Sequence, residues 1–335
     1  MNGCASGDTG YRVRAFNTVL GYIETHTMVS HSLSERFRDV AFTTAVPFSE
    51  DTTDVRYEAL AENISQVYDA GAQLFIPCGN TGEYYALTDE ERIAIVETHV
   101  EATGDEATVA AGAAGNITEV TKLATAYKDA GADAIVVMHP DYTYMHESGL
   151  ADYYHRICDA TDLGVVIYKR GMEITRDVLV ELIEREEVVA VKYADDDIRE
   201  FSHTVEDADD DVTWVNGIAE RYALSFAIEG AEGYTTGIGN FVPEATLSLF
   251  DAIHAEEWER ARRIQRMLRP LEDIREEPGD GNEIAAANNV PVIKYGMDLA
   301  GYEGGLVREP LVELTDDDAR RVEKHYAEIE ANVPL

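Results

Sequence analysis

Eight short runs of β-branched and apolar residues recur from residue 41 onward, and this repetition constrains the fold more than any other feature of the chain. The runs are AFTTAV, AQLFIP, ATVAAGA, AIVVM, GVVIY, VVAVK, VTWVN and GYTT. Intervals of 20 to 36 residues separate their last residues, which are Val46, Pro77, Ala113, Met138, Tyr168, Lys192, Asn216 and Thr236. Each interval has room for one helix and two short loops, which is the connection that parallel strands require.

The segments between the runs carry helix signals. Gly71 and Gly131 follow two of them, in the place where glycines end helices. Thr88 stands three residues before Glu91, which predicts an N-terminal capping box. Eight such units predict an α/β fold of the closed (β/α)8 barrel (TIM barrel) type, because open sheets usually have fewer units and a glycine-rich first turn.

The repetition also predicts how the chain is divided. Residues 1–27 show neither a strand nor a clear helical face. We therefore expect them to be disordered, or to be an extension that results from a wrongly assigned start of the protein. Residues 28–254 form the predicted barrel. Residues 255–335 contain further amphipathic stretches and form a predicted C-terminal helical extension, with the sequence EEPGDGN as a turn between its first two helices.

The charge of the chain excludes some functions. The sequence has 65 acidic and 27 basic residues, a formal net charge of −38. Nucleic-acid binding requires clustered Lys and Arg and is therefore not expected. The acidic residues are spread along the whole chain, which favours solubility at high salt, where self-repulsion is screened. We interpret the chain as a halophilic cytoplasmic protein; a merely acidic protein is the alternative.

Other features of the sequence indicate a protein of the cytoplasm. It has no apolar run of 18 residues and no apolar signal core near its start, so neither a membrane span nor secretion is expected. Its three cysteines, Cys4, Cys78 and Cys158, match no disulfide framework or metal spacing. His139 and His146 are seven residues apart, which is not a ligand spacing, so no metal site is predicted.

Two polar residues end predicted inner strands. Tyr168 ends the fifth run and Lys192 ends the sixth. In a barrel of this kind the chemistry lies at the carboxyl ends of the strands. A desolvated lysine has a lowered pKa and can attack a ketone to form a Schiff base, while a tyrosine can transfer protons. An ion pair of Lys192 with Asp195 or Asp196 at the rim is the alternative.

Several segments resemble one enzyme family. FIPCGNTGEYYALTDEER, AGADAIVVMHPDY, GVVIYKR, VVAVKY, GYTTGIGNFVPE and GLVREPL occur in the order found in the superfamily of dihydrodipicolinate synthase and N-acetylneuraminate lyase. The resemblance runs from about Ala41 to Leu314. It implies a Schiff-base enzyme of the class I aldolase type that uses no metal or organic cofactor, acts on a small 2-keto acid and assembles as a homo-oligomer, a dimer of dimers.

The resemblance also implies roles for individual residues. Lys192 resembles the Schiff-base lysine, and Tyr168 the tyrosine that relays protons. Thr81, with Asn80 beside it, resembles the site for the substrate carboxylate, although the family usually has threonine or glycine in place of Asn80. Glu83 is expected to hold this loop in place.

Three further residues are implied as part of the site. Tyr142 stands where the family often has a tyrosine that crosses a subunit interface, although Asp141 replaces the tyrosine that usually precedes it; packing is the alternative role. Arg170 is a candidate for binding a polar or anionic part of the substrate. The alternative role of Arg170 is a surface ion pair with an acidic residue. Thr235 is a candidate for binding a substrate hydroxyl.

The resemblance separates branches of the superfamily. Synthases and lyases usually have Y-N-x-P after the fifth strand, whereas this chain has Tyr168, Lys169, Arg170 and Gly171, closer to the dehydratases of deoxy sugar acids. We predict dehydration of 2-dehydro-3-deoxypentonate to 2-oxoglutarate semialdehyde and water. The enzymatic alternatives are a decarboxylating 5-dehydro-4-deoxyglucarate dehydratase, a 2-keto-3-deoxy sugar-acid aldolase and dihydrodipicolinate synthase. The non-enzymatic alternative is a sugar-acid binding protein.

Overall fold

Eight parallel strands close into a barrel in sequence order, with the first strand hydrogen-bonded to both the second and the eighth. The strands are β1 (Val40–Thr43), β2 (Leu74–Ile76), β3 (Thr108–Ala113), β4 (Ala134–Met138), β5 (Gly164–Lys169), β6 (Val188–Tyr193), β7 (Thr213–Asn216) and β8 (Gly233–Thr236). This computed structural model describes residues 33–140, 142–171, 173–208 and 212–332, so the predicted extension over residues 1–27 lies outside the described residues. The predicted (β/α)8 barrel is confirmed.

Helices alternate with the strands and continue after the barrel. Those of the barrel are α1 (Tyr57–Asp69), α2 (Asp89–Thr103), α3 (Ile117–Asp129), α4 (Glu147–Cys158), α5 (Arg176–Ile183), α6 (Ile198–Asp207), α7 (Ala223–Ile228) and α8 (Pro243–His254). The C-terminal helices are α9 (Trp258–Glu276), α10 (Asn289–Ala300) and α11 (Asp316–Glu330). No helix in the described ranges combines the length and the apolar character that crossing a membrane demands.

The local signals read from the sequence are confirmed. Thr88 accepts a hydrogen bond from the backbone of Glu91, whose side chain binds the backbone N–H of Thr88, and this completes the capping box of α2. Gly71 and Gly131 have φ angles of +117° and +95°, which side chains other than glycine rarely adopt. The capping box and the two glycines therefore mark helix ends in the structure, as the sequence predicted.

The first strand is shorter than predicted. It ends at Thr43 rather than Val46, because the chain then leaves the barrel wall. Phe48 forms isolated antiparallel bridges with Val55 and Leu306, outside the barrel. The apolar run continues beyond Thr43 because these residues are buried and not because they belong to the sheet. The Thr44 hydroxyl lies 2.8 Å from His99 of α2, and the Ala45 N–H donates to Asn240 after β8.

The register of two strands positions the residues of interest. β5 and β6 pair so that Tyr168 lies directly beside Lys192. Directly opposed residues on neighbouring strands point to the same face of the sheet. The two side chains that the sequence singled out therefore emerge side by side at the carboxyl end of the barrel.

A buried ion pair fastens the loop after β2 to the C-terminal helices. Glu83 and Lys294 are 2.6 Å apart, and their side chains are 2% and 1% exposed. Glu83 also accepts a hydrogen bond of 2.8 Å from the backbone N–H of Arg308. Desolvation by burial raises the pKa of Glu83 and lowers that of Lys294. Glu83 thus holds the loop in place, as the resemblance implied.

We expect Glu83→Gln to destabilise the protein by about 3 kcal/mol, because Lys294 would be left buried without its counter-charge. The free energy of unfolding in urea measures the loss. Glu303→Gln is the matched control, since Glu303 forms an exposed ion pair of 2.8 Å with Arg56 that should contribute less than about 1 kcal/mol. Equal losses in the two variants would contradict the assignment.

Candidate active site

A cavity of about 500 Å³ opens at the carboxyl ends of the strands. Its wall combines residues from the strand ends, the loops after them and the helices α9 and α10. The lining residues are Thr43, Asn80, Thr81, Tyr168, Arg170, Lys192, Ala194, Gly217, Ile218, Ala219, Thr235, Gly237, Glu272, Arg275, Glu276, Ala285, Ala286, Asn289, Val290 and Leu311. All the residues that the sequence predicted for the site are among them except Tyr142.

Lys192 is the buried amine of this cavity. The residue is 8% exposed, and Nζ lies 4.1 Å from the centroid of the Tyr168 ring. Gly217 makes room for the lysine, because a Cβ at this position would lie 3.0 Å from Lys192 Cγ. The alternative of a rim ion pair with Asp195 is wrong: Asp195 lies 3.1 Å from Lys169, and Lys192 has no ion-pair partner among the described residues.

The surroundings of Lys192 and Tyr168 shift both groups toward reactivity. Desolvation lowers the pKa of Lys192 below 10.5; the phenol of Tyr168 opposes this change, whereas Arg170 and Arg275 add to it. Burial acts to raise the pKa of Tyr168. The charges of Lys192 and Arg170 and the Asn80 hydrogen bond outweigh that effect, so the pKa lies below 10. A less basic amine is a better nucleophile near neutral pH, and a more acidic phenol a better proton donor.

The loop after β2 brings its polar groups to the same cavity. Asn80 donates a long hydrogen bond of 3.4 Å to the Tyr168 hydroxyl. The hydroxyls of Thr81 and Thr43 lie 3.0 Å apart, and Thr43 donates to the carbonyl of Thr236 at 2.7 Å. These hydroxyl and amide groups can bind a carboxylate beside Lys192 without carrying charge themselves.

Arg170 and Thr235 lie on the cavity wall but differ in exposure. Arg170 is exposed, and it has no ion-pair partner within the ranges that the structure describes, so the predicted alternative of a surface ion pair is not observed. Thr235 is 4% exposed, and its hydroxyl donates to the carbonyl of Asn216 over 3.4 Å. The arginine is therefore available to a ligand, and the threonine makes only a long hydrogen bond.

Tyr142 lies apart from this cavity within one chain. It is 68% exposed and lines a second cavity, of about 770 Å³, together with Tyr85, Met145 and Tyr153. Packing into the core of its own chain, the alternative role, is wrong because most of the side chain is exposed. A role in the cavity of a neighbouring subunit stays a prediction.

Sequence reasoning missed five polar residues of the cavity wall: Thr43, Glu272, Arg275, Glu276 and Asn289. Thr43 could have been found, because it is a polar residue in an otherwise apolar strand run. The other four belong to α9 and α10, where polar residues are common and nothing in their spacing indicates that they reach the barrel mouth. Their approach depends on how the C-terminal helices pack on the barrel.

A buried carboxyl group, Glu220, lies behind this wall. Thr236 and Thr246 donate to its Oε1 at 2.5 Å and 2.6 Å, and Oε2 has no hydrogen-bond partner among the described residues. Desolvation and the nearby charge of Glu272 raise the pKa of Glu220 to about 7. The group therefore binds a proton more tightly in the folded chain than in the unfolded chain.

We expect Glu220→Gln to gain stability relative to the parent as the pH rises from 4.5 to 7. The raised pKa stabilises the folded parent below pH 4.5, and this contribution is lost as the pH rises through 7. The amide does not titrate, so the difference between the two proteins should change by roughly 3 kcal/mol, at ~1.4 kcal/mol per pKa unit. Urea unfolding at pH 5 and pH 8 measures it, and a constant difference would contradict the assignment.

The site includes no cluster typical of a metal centre. Among the residues that the structure describes, no group of three or more His, Cys, Asp or Glu side chains is arranged to hold an ion. Its chemical groups are an amine, a phenol, two guanidinium groups, carboxylates and several hydroxyls. Such a set can bind an anionic keto compound, form a carbon–nitrogen double bond and transfer protons.

Comparison with known proteins identifies the family of this chain. Residues 36–329 match the model of the dihydrodipicolinate synthetase family. A 4-hydroxy-tetrahydrodipicolinate synthase of Chlorobaculum parvum is 31% identical over 278 residues, which cover 81% of this chain and 90% of that protein. A "Probable 5-dehydro-4-deoxyglucarate dehydratase" of Saccharopolyspora erythraea is 30% identical over 277 residues, covering 81% and 87%.

The architecture agrees with these relationships. The crystal structure of dihydrodipicolinate synthase from Oceanobacillus iheyensis superposes with a TM-score of 0.86 at 29% identity, covering 90% of this chain and all of the other. The family match spans the barrel and most of the C-terminal helices, and members of this family are lyases. The chain belongs to the dihydrodipicolinate synthetase family.

Proposed function

We propose that this lyase is a Schiff-base dehydratase of 2-keto-3-deoxy sugar acids and that it converts 2-dehydro-3-deoxypentonate to 2-oxoglutarate semialdehyde and water. The observation that carries the proposal is the buried Lys192 amine, 4.1 Å from the Tyr168 ring centroid in a cavity with hydroxyl and amide groups beside it. A lysine with a lowered pKa at the closed end of a polar cavity is suited to attack a bound ketone.

The first half of the proposed reaction forms the covalent adduct. The substrate carboxylate binds the Thr81 and Asn80 groups, which places the C2 carbonyl near Lys192. The neutral amine attacks C2, and the carbonyl oxygen leaves as water after two proton transfers, giving an iminium. Tyr168, whose ring centroid lies 4.1 Å from the amine, is the proton donor of the proposal.

The second half uses the iminium as an electron sink. The iminium acidifies the C3 protons, and one of them passes to Tyr168 or to a base that exchanges protons with Tyr168. The C4 hydroxyl then leaves as a second water. Loss of a C5 proton and reprotonation of the chain convert C5 to an aldehyde. Hydrolysis of the iminium consumes one water and frees the amine, so the net change is the loss of one water.

The lysine supplies the electron sink itself, so we propose that no metal or organic cofactor takes part. We also propose a cytoplasmic enzyme that works as a homo-oligomer, with Tyr142 of one chain approaching the site of its neighbour. The 68% exposure of Tyr142 in a single chain supports a contact of this kind, because a large aromatic side chain at the protein surface is suited to an interface.

The sequence after β5 supports dehydration over synthase chemistry. Tyr168 is followed by Lys169, which lies 3.1 Å from Asp195, and by Arg170, which lines the cavity. The family's synthases usually have asparagine and proline in this loop. The second candidate is 5-dehydro-4-deoxyglucarate dehydratase, which the similarity to the Saccharopolyspora protein favours.

Product identification tests the proposal. The purified protein is incubated separately with 2-dehydro-3-deoxypentonate, with 5-dehydro-4-deoxyglucarate, and with pyruvate plus aspartate semialdehyde. We expect 2-oxoglutarate semialdehyde from the first, detected with an NAD(P)-linked aldehyde dehydrogenase. Carbon dioxide from the six-carbon diacid alone would favour the second candidate, pyruvate release would indicate an aldolase, and condensation would indicate a synthase.

Variants tie the reaction to the site. We expect Lys192→Gln to lose product formation and the adduct that borohydride traps, because no other described residue that lines the cavity carries an amine. Lys122→Gln is the matched control, since the Lys122 side chain is 76% exposed, and it should retain both. Substrate that binds without turnover, with no adduct at Lys192 in the parent, would indicate a binding protein and contradict the proposal.

The pH dependence of adduct formation gives a second test. We expect Arg170→Gln to move the rising limb of the rate of pyruvate trapping by borohydride to higher pH. The reason is that the arginine charge lowers the pKa of both Lys192 and Tyr168. Arg266→Gln, which removes an exposed arginine from α9, is the control and should leave the profile in place. An unchanged profile in Arg170→Gln would contradict the electrostatic role.

A further inference from the structure

The cavity wall formed by α9 and α10 carries charges that largely cancel each other. Arg275 Nη1 donates to Glu272 Oε1 at 2.6 Å, and the two side chains are 7% and 6% exposed. Glu276 also lines the cavity and forms an ion pair with Arg221. Each carboxylate of this wall therefore already has a guanidinium partner, and each guanidinium a carboxylate.

Arg275 is held at the mouth of β8. Its Nη2 donates to Asn289 Oδ1 at 3.0 Å. A Cβ at Gly237 would lie 2.5 Å from the same Nη2, so only glycine leaves this space open. A guanidinium has five N–H donors, and these contacts use two of them. One N–H remains on each terminal nitrogen, and Nε has no partner among the described residues.

This wall lacks the properties of an anion site. A second carboxylate of a substrate would lose its hydration next to the buried Glu272, while the charge of Arg275 is already balanced by Glu272. Arg170, the guanidinium of the cavity without an ion-pair partner among the described residues, belongs to the loop after β5 and not to this wall. A desolvated charge without a free counter-charge is costly. A hydroxyl group instead accepts from a guanidinium N–H and donates to a carboxylate oxygen at the same time, and a neutral chain of hydroxyls can do so repeatedly.

We infer that Glu272 and Arg275, held by Asn289 and Gly237, form a subsite for the neutral hydroxyl-bearing end of a monocarboxylate and exclude a substrate with a second carboxylate. The inference rests on the proposed Schiff-base function and names its substrate class. It favours the five-carbon acid, whose distal end is a hydroxymethyl group, over the six-carbon diacid. Glu272 and Arg275 act here as specificity residues, away from the reacting carbons.

Trapping at Lys192 separates binding of the distal end from turnover. Pyruvate has no distal end, 2-dehydro-3-deoxypentonate has a neutral one and 5-dehydro-4-deoxyglucarate has a charged one. For each compound, the concentration that gives half-maximal borohydride adduct is measured by mass spectrometry of the intact protein. We expect the parent to be half-saturated at an at least tenfold lower concentration of the pentonate than of the diacid.

Glu272→Gln should reverse this preference. The amide keeps the shape of the side chain but leaves the Arg275 charge unbalanced, so the diacid should bind at least tenfold more tightly than to the parent. The pentonate should bind about tenfold more weakly, the effect of losing a hydrogen bond to a charged group. Half-saturation by pyruvate is the reference for both shifts, because the unbalanced charge of Arg275 also acts on Lys192, and circular dichroism checks the fold.

Two further variants keep the test decisive. Arg275→Lys retains the charge but not the planar fork, and it should weaken pentonate binding while leaving pyruvate binding unchanged. Glu259→Gln is the matched control, because Glu259 forms the same i,i+3 pair on α9, with Arg262 at 2.9 Å, but its side chain is 82% exposed. It should match the parent for all three compounds.

The possible failures are distinguishable. Equal or tighter trapping of the diacid by the parent, or no change in Glu272→Gln, would overturn the assignment of this subsite and leave the Schiff-base function in place. If none of the three compounds gives an adduct at Lys192 in the parent, the proposed function is wrong, and the assignment of the subsite is wrong as well.

Discussion

The burial of one amine beside one phenol is the constraint on which the rest of the site depends. The pairing of β5 with β6 sets Tyr168 next to Lys192, and the closed barrel keeps water from solvating either group freely. Burial disfavours the charged form of the lysine, while the lysine and Arg170 favour the ionised form of the tyrosine. The pKa values of both groups are thereby lowered together, and both shifts depend on this buried arrangement.

Ion pairs around the cavity hold the surrounding loops in place without placing a carboxylate against Lys192. Lys169, the residue after Tyr168, forms an ion pair with Asp195. Asp195 is the acidic residue closest to Lys192 in the sequence and could otherwise have paired with it. Glu83 and Lys294 fix the loop that carries Asn80 and Thr81. Acidic groups are abundant in a chain with a net charge of −38. Lys192 nevertheless has no carboxylate partner among the described residues, because the nearby Asp195 pairs with Lys169.

The C-terminal helices complete the cavity and give the proposed substrate preference a physical basis. In the proposed reaction, strand ends and their loops supply the groups for the reacting end of a keto acid. Glu272 and Arg275 come instead from a helix that packs on the barrel from outside. A scaffold of this kind can keep one covalent mechanism and change the substrate through residues that never touch the reacting carbons.

The sequence by itself determined the barrel and the amine and phenol at its strand ends, because these depend on local periodicity. The loop around Thr81 was identified only by the resemblance of its motif to the family. The sequence misplaced the end of β1, since the apolar residues beyond Thr43 suggest a strand although they are buried outside the sheet. Only the tertiary structure decided that Asp195 pairs with Lys169 and that Arg275 reaches the cavity. These contacts join residues from separate elements, and their distances depend on helix packing and strand register, which no pattern in the linear sequence encodes.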